Sequence, residues 1–228
     1  MTPTFPPGKL PAAPVRWWGQ LRLWLWRTAF AQLFSARAKK FKRRPTHPLG
    51  VGASGQATVV AQPSFPPHPY FQAGRKFALK LRHANLGRED DACLDIRSAT
   101  ISLVDRDERL DLPMSTGVVS AFWDTSSFVQ FVRASLKGKP GLKALLAVSP
   151  RHKLGATTAM VRAPASYTGL AYYAQLTFRW QGNDEIERLV RYRIVPATGE
   201  GSLILDNTDR ENLWDFERRD SEKRPVDY

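Results

Sequence analysis

The chain has 228 residues, 43% of them hydrophobic, and 34 Lys and Arg against 21 Asp and Glu give a net charge of +13. That length supports one domain with a real core, and the single cysteine, Cys93, excludes an internal disulfide framework and a cysteine-rich metal site. The charge is unevenly placed: no acidic residue precedes Glu89, so the basic excess belongs to the N-terminal third, which can meet nucleic acid, anionic lipid or an anionic cofactor.

Residues 1–15, MTPTFPPGKLPAAPV, are Pro-rich and are expected to be a disordered tail. Residues 16–44 predict a basic, Trp-rich amphipathic helix, with Trp17, Leu21, Trp24, Leu25, Phe34 and Phe41 near one face and Arg16, Arg27, Lys39 and Arg43 elsewhere. Arginines interrupt the apolar residues, so no run approaches the roughly 18 needed to span a bilayer. A helix of this composition suits an anionic membrane surface; the ordinary alternative is that it packs on the domain. The acid-free, Arg-rich start also resembles an organelle transit peptide, although its serines are few. The compartment is therefore read only as cytoplasmic or organellar, with a peripheral-membrane option.

From Gly55 the pattern changes to period two, which predicts strands at QATVVA, at FALKLRHA (77–84) and at RSATISLVD (97–105). A helix is predicted from about Asp124, its N-cap, through DTSSFVQFVRASLKG, followed by a short helix at KALLAVS. YTGLAYYAQLTFRW and IERLVRYRIVP predict two long strands joined by QGND into an antiparallel hairpin. DNTDRENLWDFERRDSE predicts a further helix, and the final RPVDY a strand.

Several signatures are missing: a Gly-rich phosphate loop followed by Lys and Ser or Thr, a paired-cysteine zinc site, and a nucleophile elbow. The histidines at 47, 68, 83 and 152 lack metal-ligand spacing on a helix. His68, in PPHPY, reads as part of a rigid surface turn, and His83 as a packed or exposed strand side chain rather than a catalyst. His47 differs because glycines at 50, 52 and 55 follow it, which let the backbone turn tightly or let a large group approach.

The order RPTHPLGVGASGQATVV, then LRHANL with DDACLDIRSATISL, then STGVVSAFWDTSSFVQF resembles the catalase superfamily over residues 44–228. Thr46 beside His47, with YYAQLTFRW and RLVRYRIVP, resembles the catalase-related allene oxide synthase branch more than the catalases proper, which usually carry valine at that position. The resemblance implies an α+β fold: a catalase-type antiparallel β-barrel, incomplete, with external helices, spanning 45–228. It also implies haem b as cofactor and a fatty-acid hydroperoxide or peroxide as substrate, converted by a lyase, isomerase or peroxidase reaction.

By the same resemblance His47 matches the distal histidine, Arg44 and Arg82 match arginines that neutralise the haem propionates, and Phe128 matches the phenylalanine over the distal face. Thr46 would tune His47, and Ser115 stands where the family has an asparagine, replacing an amide with a shorter hydroxyl. Arg97 reads as structural. The proximal tyrosine is expected about a hundred residues beyond Tyr228, so the chain reads as C-terminally truncated. RPVDY has the proximal R-x-x-x-Y spacing in Arg224 and Tyr228, but its position after a helix matches a barrel strand instead. Two other expectations are a non-catalytic remnant that binds membrane surfaces through the basic arm, and nucleic-acid binding, which no recognition motif supports.

Overall fold

The computed structural model describes residues 17–87, 91, 93–162, 164 and 166–197. Helix α1, Trp17–Phe41, divides its apolar side chains between two faces. Trp26, Phe30 and Phe34 form a ridge, with successive ring centroids 5.9 and 6.2 Å apart. Phe34 thus lies on the ridge and not with Trp17 and Trp24. The ridge packs on helix α2, Thr125–Leu136: Phe30 meets Phe128 at 5.1 Å, and the Arg133 guanidinium lies 5.8 Å from the Trp26 ring centre. The domain-packing expectation for this helix therefore holds for one face, while Trp17, Trp18, Leu21, Trp24 and Leu25 remain exposed.

The strands are β1 (Val51–Thr58), β2 (Lys76–Asn85), β3 (Asp95–Asp105), β4 (Glu108–Ser115), β5 (Met160–Val161), β6 (Tyr172–Ala174), β7 (Phe178–Gln181), β8 (Glu187–Val190) and β9 (Arg193–Ile194). One sheet runs β1-β2-β3-β4-β6-β9, with β5 pairing the start of β3, and β7 and β8 form a separate hairpin; every pairing is antiparallel. The result is a curled half-barrel with helices beside it, the predicted α+β class. Helices α2, α3 (Gly138–Val148) and α4 (Pro150–Ala159) follow the first four strands.

Period two decides which face is core. Cross-strand partners share a face, and the register links His83 to Ala99, Ala99 to Met114 and Met114 to Ala174, with Leu81, Ile101 and Leu112 in the next row. Leu81, Ala99, Leu112, Met114, Leu170, Tyr172, Ala174 and Ile194 close into one buried cluster. The opposite face carries Gly52, Arg82, Thr100 and Pro113 in one row, and Ala84, Ser98, Ser115 and Tyr173 in another.

Three elements lie outside the strands and helices that periodicity predicts: β4, α4 and the two-residue β5. Strand β4 contains Pro113, whose missing N–H is tolerated because the pairing of β4 with β6 involves Met114 and Ser115 only. Helix α4 starts with Pro150 in its first turn and buries His152, Gly155 and Ala159, so its inner face is small and polar where periodicity looks for an apolar stripe. Strand β1 begins at Val51, earlier than QATVVA. The predicted 124–138 helix is confirmed, with a capping box in which Asp124 accepts from Ser127 N and Ser127 Oγ accepts from Asp124 N. The two long strands of the predicted hairpin are each interrupted. Gly182–Glu185 makes the turn between β7 and β8, while the Arg191 side chain donates to the Ala174 carbonyl between the two ladders. The tail at 1–15, the helix at DNTDRENLWDFERRDSE, and Arg224 and Tyr228 of RPVDY lie outside the described residues.

Candidate functional site

The segment between α1 and β1 turns back on itself at His47, whose φ of 54° lies in the left-handed region that non-glycine residues rarely adopt. Its backbone is held from both sides: His47 N donates to the Leu86 carbonyl at 2.8 Å, and its own carbonyl accepts from the Arg82 guanidinium at 3.0 Å. The half-buried imidazole has its pKa lowered, first by burial, then by Arg82 and by Arg44, with Asp95 acting in the opposite direction. The site therefore holds a histidine toward its neutral form beside two fixed positive charges. A neutral imidazole can accept a proton that an imidazolium cannot.

Arg82 comes from β2, opposite Gly52 of β1. Its guanidinium lies against the backbone of Gly50, where a β-carbon would come within 2.5 Å of Cζ and Nη2. Glycine at 50 is what allows this seat. Burial, then the neighbouring Arg44, lower the pKa of Arg82. Arg44 and Thr46 are exposed.

Ser115 ends β4, between Ser98 of β3 and Tyr173 of β6, and its Oγ accepts from Gly117 N at 3.3 Å. It shares the sheet face of Arg82 but lies two strands away, at about 4.8 Å per strand. The next residue fixes its position: buried Thr116 donates through Oγ1 to the Ala159 carbonyl at 2.6 Å and through its N–H to the Arg97 carbonyl at 3.0 Å. Phe128 packs its ring between Phe30 and Phe122, each at 5.1 Å. His47, Arg44 and Arg82 are thus gathered into one cluster, whereas Ser115 and Phe128 are held by other elements.

Sequence reasoning missed two participants. Asp95, buried at the start of β3, accepts from Gly87 N at 3.1 Å and places a carboxylate in the field of His47. Phe30, from the N-terminal helix, backs Phe128. Asp95 was visible only as the acidic residue two positions before Arg97. Nothing local in the sequence points from Phe30 to Phe128.

The other histidines are structural. His83 is buried against Tyr167 and Tyr172, and burial pushes its pKa down to about 3. His68 accepts from Tyr70 N at 3.0 Å and stacks on Trp180 at 4.4 Å, as a turn residue would. His152 bridges Ser149 Oγ at 2.7 Å and the Ser127 carbonyl at 3.0 Å, tying α4 to α2. Arg97 is fully buried and its guanidinium bonds Asn85 and the carbonyls of Asp91 and Cys93, which fits its structural reading.

Two solved structures share this fold. A fungal catalase matches with a TM-score of 0.54 and 19% identity, over 79% of this chain and 39% of that one. Catalase A from Saccharomyces cerevisiae matches with a TM-score of 0.55 and 16% identity, over 83% of this chain and 45% of that one. In sequence, the chain is 36% identical over 226 residues to the allene oxide synthase-lipoxygenase protein of Plexaura homomalla, covering 96% of this chain and 21% of that protein. Its fold is of the catalase type. A linolenate 9R-lipoxygenase of Nostoc sp. is 29% identical to it over 187 residues, covering 78% of this chain and 24% of that protein. The chain therefore spans between a fifth and a quarter of the length of these curated relatives. No protein-family profile matches it.

Proposed function

We propose that this catalase-type chain takes part in haem-dependent conversion of hydroperoxides, with fatty-acid hydroperoxides as the substrate class. The observation that carries the reading is the seat of Arg82 on Gly50 beside a His47 whose pKa is lowered. The residues present fit haem b. Two guanidiniums, Arg82 and Arg44, stand near one histidine, and guanidinium is the side chain suited to bind propionate carboxylates.

When bound, haem iron supplies cleavage of the O–O bond. The chain's own residues would do the rest. A neutral His47 imidazole takes the hydroperoxide proton and can return it. Thr46 offers a hydroxyl next to it, which restrains simple peroxide turnover. Ser115, two strands from Arg82 on the same sheet face, would donate a hydrogen bond over a shorter reach than an amide, and Phe128 would offer an apolar ring from its seat between Phe30 and Phe122. Arg44 and Arg82 hold the propionates. The relative from Plexaura homomalla, named for allene oxide synthase, supports rearrangement over dismutation.

The test is to express the full chain, add haemin, and record the Soret band and the turnover of a fatty-acid hydroperoxide. A shifted Soret band, with turnover lost in His47→Ala, is the expected result. A spectrum identical to free haemin would overturn the reading for this chain.

A further inference from the structure

The two faces of α1 are chemically different and only one is used. The inner ridge of Trp26 and Phe30 packs on α2. Residues 17, 21, 24 and 25 fall within about 100° of one another on a helix of 3.6 residues per turn, on the side opposite 26 and 30. On that side Trp17 is 63%, Trp24 60%, Leu25 52% and Leu21 43% exposed, and Trp18, stacked on Trp17, is 59% exposed. Such a contiguous row of large apolar side chains is rare on a free surface. The same side continues into cations: Trp24, Arg27 and Lys39 border one shallow groove along the helix.

We propose that this outward face of α1 docks the helix flat on an anionic bilayer surface. Indole rings favour the headgroup level, and Leu21 and Leu25 reach the acyl boundary beneath it. Charge complementarity selects the occupant. Residues 1–88 hold 15 Lys and Arg and no Asp or Glu, so the arm meets an anionic surface with no repulsive group. A second copy of the chain would bring the same cations against it. Nucleic acid would use Arg27 and Lys39 but would leave Leu21 and Leu25 without a partner. No described helix is long and apolar enough to cross a membrane, so the contact is interfacial. Docking does not depend on the haem reading, but because Phe30 on the inner face touches Phe128, it would hold the candidate site one helix away from the bilayer.

The experiment is co-sedimentation of the full chain with phosphatidylcholine vesicles, with and without phosphatidylserine, at low and high salt. Binding is expected to need phosphatidylserine and to weaken with salt. The double change Trp17→Ser and Trp24→Ser should weaken it by about tenfold or more, the effect of losing two large apolar side chains. Lys39→Glu should remove part of the phosphatidylserine dependence while leaving the far-ultraviolet circular dichroism unchanged. If the double variant alters the dichroism, the Lys39→Glu result decides. Vesicle binding that is absent, or unchanged in both variants, overturns the proposal. So does a loss of self-association or of duplex DNA binding in these variants without any change in vesicle binding.

Discussion

The guanidinium of Arg82 lies against the backbone of Gly50, where a β-carbon would fall 2.5 Å from its Cζ, and it donates to the His47 carbonyl at 3.0 Å. One glycine therefore decides where a cation sits and, through it, how the His47 segment is held. The far end of an arginine can move aside, so Gly50→Ala is expected to leave the fold intact and to displace the guanidinium. Losing a charge-assisted hydrogen bond is worth about 1.5–3 kcal/mol, so under the proposed function haem affinity should fall roughly tenfold or more. Soret titration of the variant against the parent chain checks this, with an unchanged far-ultraviolet circular dichroism as control.

Acid should destabilise the fold through His83. Its pKa is about 3 in the folded chain against an ordinary 6.5. Between those values the unfolded chain holds a proton that the folded chain does not, so stability falls as pH falls through that window. The slope reaches about 1.4 kcal/mol per pH unit and the total is on the order of 5 kcal/mol. His83→Phe should flatten the acid side of a stability curve measured by urea denaturation between pH 7 and about pH 4.

Tyr167 ties the 85–97 region to the strand that follows it. Its hydroxyl bonds Asn85 Oδ1 at 2.5 Å and Asp91 Oδ1 at 2.6 Å, and Asn85 in turn bonds Asp91 and Arg97. All four side chains are buried. Tyr167→Phe keeps the ring and removes the donor, leaving buried acceptors less satisfied at a cost of about 1–3 kcal/mol. Chemical denaturation should show a lower midpoint with the same slope, and Arg97→Met should cost more than Tyr167→Phe because it strips the network of its buried cation.

Gly155 brings α4 against the segment that leads into α2. A β-carbon there would stand 2.5 Å from Ala121 N, and backbone cannot swing away as a side-chain tip can. Gly155→Ala should therefore destabilise by about 1–3 kcal/mol, despite alanine's better helix propensity. It should also loosen His152 from Ser127. Hydrogen exchange at the start of α2 would report the second effect.

Much of this was legible locally. The strand content of 76–85 and 95–105 follows from alternation, and the α2 cap from Asp124 placed just ahead of the helical spacing of Phe128, Phe131 and Val132. Arg82, Arg44 and His47 were named as a set through the resemblance to the catalases, and the structure places them near one another. Other features were not, because their signals are not apolar periodicity. Strand β4 carries a proline and acidic residues, α4 buries a histidine and small residues, and the final hairpin is interrupted where one arginine side chain reaches the Ala174 carbonyl.

By itself the sequence determined the period-two strands, the basic N-terminal third, the lone cysteine and the residue types available around His47. Those are properties of neighbouring residues along one chain. Tertiary structure alone decided that α1 would spend one aromatic ridge on Phe128 and leave another exposed, that Asp95 would reach the field of His47, and that Gly50 would seat Arg82. Each of these joins residues about 30 to 100 positions apart, where no local propensity acts and only packing, burial and charge at close range can choose.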